Sequence, residues 1–190
     1  MFRWTFQTLC KNAHMFVLGH LGLGSALSRV WKEDLPWGWI LFGCLLPDIV
    51  DKPLYYGAVH PLITGTRTFG HSGILFLCVL LAASIARTRA LRAVCVGMTT
   101  HVFLDFFLDL IGLELPGATL QAYLFPLLGA HFYVAPFEGM FEHLWLTFHA
   151  VPVLIAEIVG SAVFYLEWAK RSSSSWSIKD RRSSKRVKTK

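Results

Sequence analysis

Ala93–Leu113 reads AVCVGMTTHVFLDFFLDLIGL, 21 residues whose only acidic, basic or imidazole side chains are His101, Asp105 and Asp109. Its length and apolar character suit a membrane helix, which needs about 20 residues to cross the hydrocarbon core. Ionisable groups in such a segment are costly, face the interior of a bundle and mark functional sites. His101 and Asp105 are four residues apart, so they project from one helical face. That spacing offers an imidazole and a carboxylate to a single metal ion. The competing reading is a buried histidine bonded to Asp105 with no metal. Asp109 continues the stripe by one turn, toward a second-layer position or a water-facing helix end.

Four further apolar runs flank this one. They are Met15–Leu27, Trp37–Pro47, Gly73–Ala86 and Leu144–Leu166, the last with His149 and Glu157 inside it. The first three are short for a span. No small-x-small cleavage site follows the first run, so it reads as a retained helix and not a signal peptide. The segment Ala118–Phe137 is apolar but broken by Pro126, Gly129 and Pro136. It reads as an interfacial or re-entrant hairpin able to admit a lipid, or else as a packed loop.

Composition agrees with a membrane protein. Of 190 residues, 54% are hydrophobic and only 16% charged, and mean hydropathy is +0.50. Ordinary soluble domains carry roughly a quarter charged residues. Disordered chains, coiled coils and small disulfide scaffolds are excluded on the same grounds. Lys170–Lys190 holds nine Lys or Arg and one Asp, a net of +8, so the other 169 residues of this +6 chain sum to −2. The basic charge therefore belongs to a tail and not to a nucleic-acid-binding face. The tail predicts a disordered segment lying against anionic cytoplasmic lipid. Cys10, Cys44, Cys78 and Cys95 show no CxxC spacing and read as small buried hydrophobes.

Lys and Arg placement sets the orientation. Placing the tail and the Arg87–Arg92 link inside leaves 14 Lys or Arg inside and four outside: Arg3, Lys11, Lys52 and Arg67. On that topology His20, Asp48, His71, His101 and Asp105 all fall toward the outer face. Three His and two Asp suit zinc or another first-row divalent ion.

These residues sit in recognisable contexts: Gly19-His20, Leu46-Pro47-Asp48-Ile49, Arg67-x-x-x-His71-Ser72 and His101-x-x-x-Asp105. The set resembles the YdjM-like family of membrane-bound metal-dependent hydrolases, over about residues 15 to 128. One departure is Gly70, where the resemblance implies Thr and a supporting hydroxyl. The order of ligands is also similar to that of the zinc phospholipase C and nuclease P1 group. That likeness implies one metal on Asp48, His71, His101 and Asp105, and a second, more open one on His20 and Asp105. Asp48, Arg67 and Asp105 are the catalytic candidates, and the expected metal is zinc, with manganese as the alternative. His131, Glu138, Glu142 and His143 do not reproduce the remaining ligand spacing, so a three-metal site is not expected.

Smaller features complete the reading. Arg67 either clamps a substrate phosphate, pairs with Asp48 or sits at the interface. Asp51 either faces the site three residues after Asp48 or is a solvated loop carboxylate. Ser72 is expected to cap the helix that follows. Glu157 is expected to pair inside the bundle, and His149 is expected to be a bundle histidine. His14 and His60 read as surface residues.

The expected architecture is an all-α polytopic bundle of about five helices over residues 1–168, with a disordered basic cytoplasmic tail over 169–190. The expected function is metal-dependent hydrolysis of a phosphoester in a lipid or lipid-linked substrate, in the inner (cytoplasmic) membrane. The alternative is a non-catalytic metal-binding membrane protein, such as a transporter or a stress-related regulator.

Overall fold

The computed structural model describes residues 17–31, 34–57, 65–110, 118–129, 132, 134, 139–149 and 151–187. His14, His60, His131 and Glu138 lie outside the described residues, as does the side chain of Asp109. The fold is all-helical, with no strand among the described residues. The helices are α1 Val17–Leu27, α2 Trp37–Gly57, α3 Gly73–Ala86, α4 Arg89–Leu110, α5 Ala118–Tyr123, α6 Met140–His149 and α7 Val151–Val187. A 3₁₀ turn, Ser28–Val30, follows α1.

Local chemistry sets several boundaries. The Ser72 hydroxyl accepts from Leu75 N at 3.2 Å and caps α3, as its sequence position predicts. Thr88 Oγ1 accepts from Leu91 N at 3.3 Å at the start of α4. Helix α2 runs past the expected stop at Pro47 and continues through Pro53 to Gly57. Asp48 thus lies within a helix, not at its end, and Asp51, Lys52 and Tyr56 follow on later turns. Each internal proline removes one ladder hydrogen bond. Packing of the buried Pro47 and the bonds made by buried Asp51 hold the helix together there.

Two expectations change at the C-terminal end. The run Leu144–Leu166 is not one helix, because α6 ends at His149 and α7 begins at Val151. Pro152 explains the restart: lacking an N–H, it fits the first turn of a helix and not its interior. The exposed His149 donates from Nδ1 to Trp145 O at 2.7 Å, so it is not a bundle histidine. The basic tail, expected to be disordered, is helical as far as Val187. No Gly or Pro follows Gly160 before Val187, and a helix once nucleated gains a backbone bond with each added residue.

Helix α4 packs chiefly on α2, and α1 on α7. Both crossings are close because they run through glycine. A Cβ at Gly97 would collide with the backbone of Ile40, and one at Gly22 with the backbone of Gly160. Small residues let helix axes approach in this way in membrane bundles.

Beside a buried apolar core that includes Leu21, Leu35, Ile40 and Val96, the interior holds several polar side chains while large apolar ones are exposed. His20, Asp51, His71, His101 and Asp105 are all at most 2% exposed. Leu77, Leu81, Ile85, Phe103, Phe107 and Ile158 lie 46–82% exposed on α3, α4 and α7. Among the described residues one helix, at Arg89–Leu108, is long and apolar enough to cross a membrane, and Gly73–Ala86 is a shorter apolar helix. An apolar cavity of about 310 Å³ opens between α3, α4 and α5, walled by Phe76, Val102, Phe103, Phe106 and Tyr123.

Candidate metal centre

Four segments deliver the polar cluster. Helix α1 brings His20, α2 brings Asp48 and Asp51, the loop before α3 brings Arg67 and His71, and α4 brings His101 and Asp105. One potential ligand atom from each of His20, His101 and Asp105 lies within 4.8 Å of the others. The same holds for Asp48, His71 and His101. All five residues singled out as ligands therefore meet in one place, as two triads sharing His101.

The tightest part of the cluster is a triangle. His71 Nε2 lies 3.1 Å from His101 Nε2 and 3.2 Å from Asp105 Oδ2, and His101 Nε2 lies 3.5 Å from Asp105 Oδ2. Ligands held about 2.0–2.1 Å from one tetrahedral ion stand about 3.3 Å apart, so these edges match a ligand shell.

Hydrogen bonds at the far side of each ring determine what those nitrogens can do. His71 Nδ1 lies 2.7 Å from Asp51 Oδ2, and His101 Nδ1 lies 2.6 Å from the Cys44 carbonyl. A carboxylate and a carbonyl only accept, so both Nδ1 atoms carry the proton and donate. In its neutral form each ring would present its lone pair at Nε2, so the 3.1 Å contact beside an anionic oxygen calls for either a shared proton or a metal ion between the two nitrogens. Fixing the imidazole from its distal nitrogen is also how metal-binding histidines are oriented.

Asp51 is the organiser of this shell. Its Oδ2 accepts from Thr68 N at 2.7 Å and His71 N at 3.2 Å besides the His71 ring. Its Oδ1 accepts from Thr68 Oγ1 and Gly70 N, each at 2.7 Å. The solvated-loop reading of Asp51 is therefore replaced by a fully buried carboxylate that wraps residues 68–71 around itself. Thr68 gives Asp51 a hydroxyl donor two residues before Gly70. A side chain at Gly70 would collide with the Pro47 carbonyl and stand 2.9 Å from Asp51 Cγ.

The second triad is expected to be the more open one, but His20, His101 and Asp105 are all buried, and Asp48 of the first triad is the partly exposed member. The His20 ring stacks on His101 with centroids 3.9 Å apart. Asp105 Oδ1 lies 3.2 Å from both His20 Nε2 and Arg67 Nη2. Yet this buried oxygen makes no aligned hydrogen bond, and neither does His20 Nδ1. Buried polar atoms left in this state are rare, and an ion is one of their explanations. The donor set fits a divalent metal of the zinc class. Glu157 indirectly supports His20: its carboxylate accepts from Leu18 N at 3.2 Å and Gly19 N at 3.0 Å, at the free N-terminal turn of α1.

Of the remaining candidates, Asp48 pairs with Lys52 Nζ at 2.7 Å. His143 is buried on α6 and bonds to the Tyr56 hydroxyl, while Glu142 is exposed. No family model, curated protein or solved structure matches this chain. The motifs quoted above are thus the whole basis of the family resemblance.

Proposed function

We propose that this chain is a membrane-bound metal-dependent hydrolase that cleaves a phosphoester in a lipid or lipid-linked substrate. The supporting observation is the pair of Nε2 atoms, His71 and His101, converging at 3.1 Å beside Asp105. A divalent ion held by Asp48, His71, His101 and Asp105, with a second on His20 and Asp105, would supply a water of lowered pKa and polarise the bond attacked. Asp51 and the Cys44 carbonyl hold the two imidazoles in the ligating tautomer. Arg67, buried against Asp105, is positioned to stabilise charge on a phosphoryl oxygen.

The membrane setting draws on the apolar α4 and the exposed aliphatic faces of α3 and α7. We place the chain as a multi-pass protein of the inner (cytoplasmic) membrane with its C-terminus cytoplasmic. The apolar cavity beside α4 is suited to an acyl chain. A transporter would spread ionisable groups along a path at several depths; here they share one cluster. Assays of the detergent-purified protein against phosphodiester and phosphomonoester substrates, with zinc or manganese, test the reading. Activity that chelation removes and that His101→Ala abolishes is the expected result.

A further inference from the structure

Along α2, Asp48, Lys52 and Tyr56 recur every four residues and form a ladder on one helical face. The ladder leads outward from the metal cluster. Asp48 belongs to the triad with His71 and His101. Lys52 Nζ sits 2.7 Å from Asp48 Oδ2, with 24% of its side chain exposed. The Tyr56 hydroxyl bonds to Nδ1 of His143, which α6 brings from the other side.

The charges decide what this ladder does. Asp48, Asp51 and Asp105 against Lys52 and Arg67 leave the centre at −1 with neutral imidazoles. One divalent ion turns that to +1. Lys52 is then a like charge on the same carboxylate as the metal, on a flexible four-carbon stem with a route to solvent. Arg67, only 6% exposed, has less freedom to leave Asp105.

We propose that Lys52 is the internal counter-ion of Asp48 in the metal-free site. Once a divalent ion takes that carboxylate, Lys52 forms with Tyr56 and His143 an anion-binding rim for a phosphate group of the substrate. The inference rests on the metal centre proposed above and adds an order to it: metal first, then anion. It makes one side chain oppose the metal and favour the anion, which a structural lysine would not do.

The test is Lys52→Met, with Lys52→Arg as the charge-preserving control and Tyr56→Phe as a milder change on the same rim. Zinc affinity is measured by chelator competition on the detergent-purified chain. Binding of inorganic phosphate and of a soluble short-chain phosphatidic acid is then titrated with and without zinc. These two probes separate a free phosphate from a lipid headgroup as the preferred ligand. Lys52→Met should bind zinc roughly tenfold more tightly, having lost one nearby positive charge. It should bind the preferred anion at least about tenfold more weakly, having lost a charged donor. Lys52→Arg should restore both, and Tyr56→Phe should weaken only the anion. Unchanged or weaker zinc binding in Lys52→Met overturns the proposal, as does unchanged affinity for both anions. A wild-type chain that binds no zinc would instead remove the metal centre itself.

Discussion

His71 Nε2 and His101 Nε2 face each other across 3.1 Å while each ring donates its only neutral-state proton backwards, to Asp51 and to the Cys44 carbonyl. Two imidazoles so arranged can hold a metal ion or a shared proton between them. The first consequence concerns Asp51. Asp51→Asn keeps the size of the side chain but places an amide group where Thr68, Gly70 and His71 all donate. It should lower metal affinity by about 10–100-fold, the usual range for losing a partner behind a ligand. Zinc titration of the purified variant checks this, with wild-type affinity as the adverse outcome.

Asp105→Asn should weaken metal binding and hydrolysis far more than Asp109→Asn. Asp105 lies 2% exposed and within 3.5 Å of His20, His71 and His101. An amide there keeps the shape and removes the charge that offsets a divalent ion. Asp109 is one turn further along α4, so the comparison controls for changing an acid on that helix. We expect a loss of at least about tenfold in one and little change in the other. Equal losses would remove the case for Asp105 as a ligand.

Gly70→Thr makes the chain match the resembled family at this position, and should nevertheless destabilise it. The new Cβ would meet the Pro47 carbonyl and the Asp51 carboxyl group, neither of which is a flexible side-chain end. Overpacking of this kind costs about 1–3 kcal/mol. Thermal unfolding in detergent should show a lower midpoint for Gly70→Thr than for Thr68→Ser, which keeps the hydroxyl on Asp51. A Gly70→Thr variant as stable as wild type would show that the loop relaxes freely.

Orientation follows from charge. A cytoplasmic C-terminus is expected from the 14-to-4 placement of Lys and Arg, with the site toward the outer face. A reporter fused after Lys190 should be active only when it functions inside the cell. Activity restricted to the exterior would invert the topology and move the site to the inner face.

The ligand set was legible because its chemistry breaks the surrounding pattern. His101 and Asp105 interrupt an apolar run at helical spacing, and His20 interrupts another. The supporting layer was far less visible. The partner of His101 is a backbone carbonyl, which any residue at position 44 would provide, so no sequence signal marks it. Asp51 could be placed near Asp48 by spacing, but its burial depends on the loop at 68–71 folding over it. The run at 144–166 hid a break because hydropathy does not register the missing N–H of Pro152. Lys52 reads from sequence as an outward-facing charge, and only the fold places it on Asp48.

The most direct test of the metal centre is the metal content of the purified wild-type chain beside His71→Ala and His101→Ala. Elemental analysis should find about one to two divalent ions per wild-type chain and a clear loss in both variants, each still unfolding cooperatively. A folded wild-type chain that retains no divalent ion after equilibration with zinc or manganese would contradict the account.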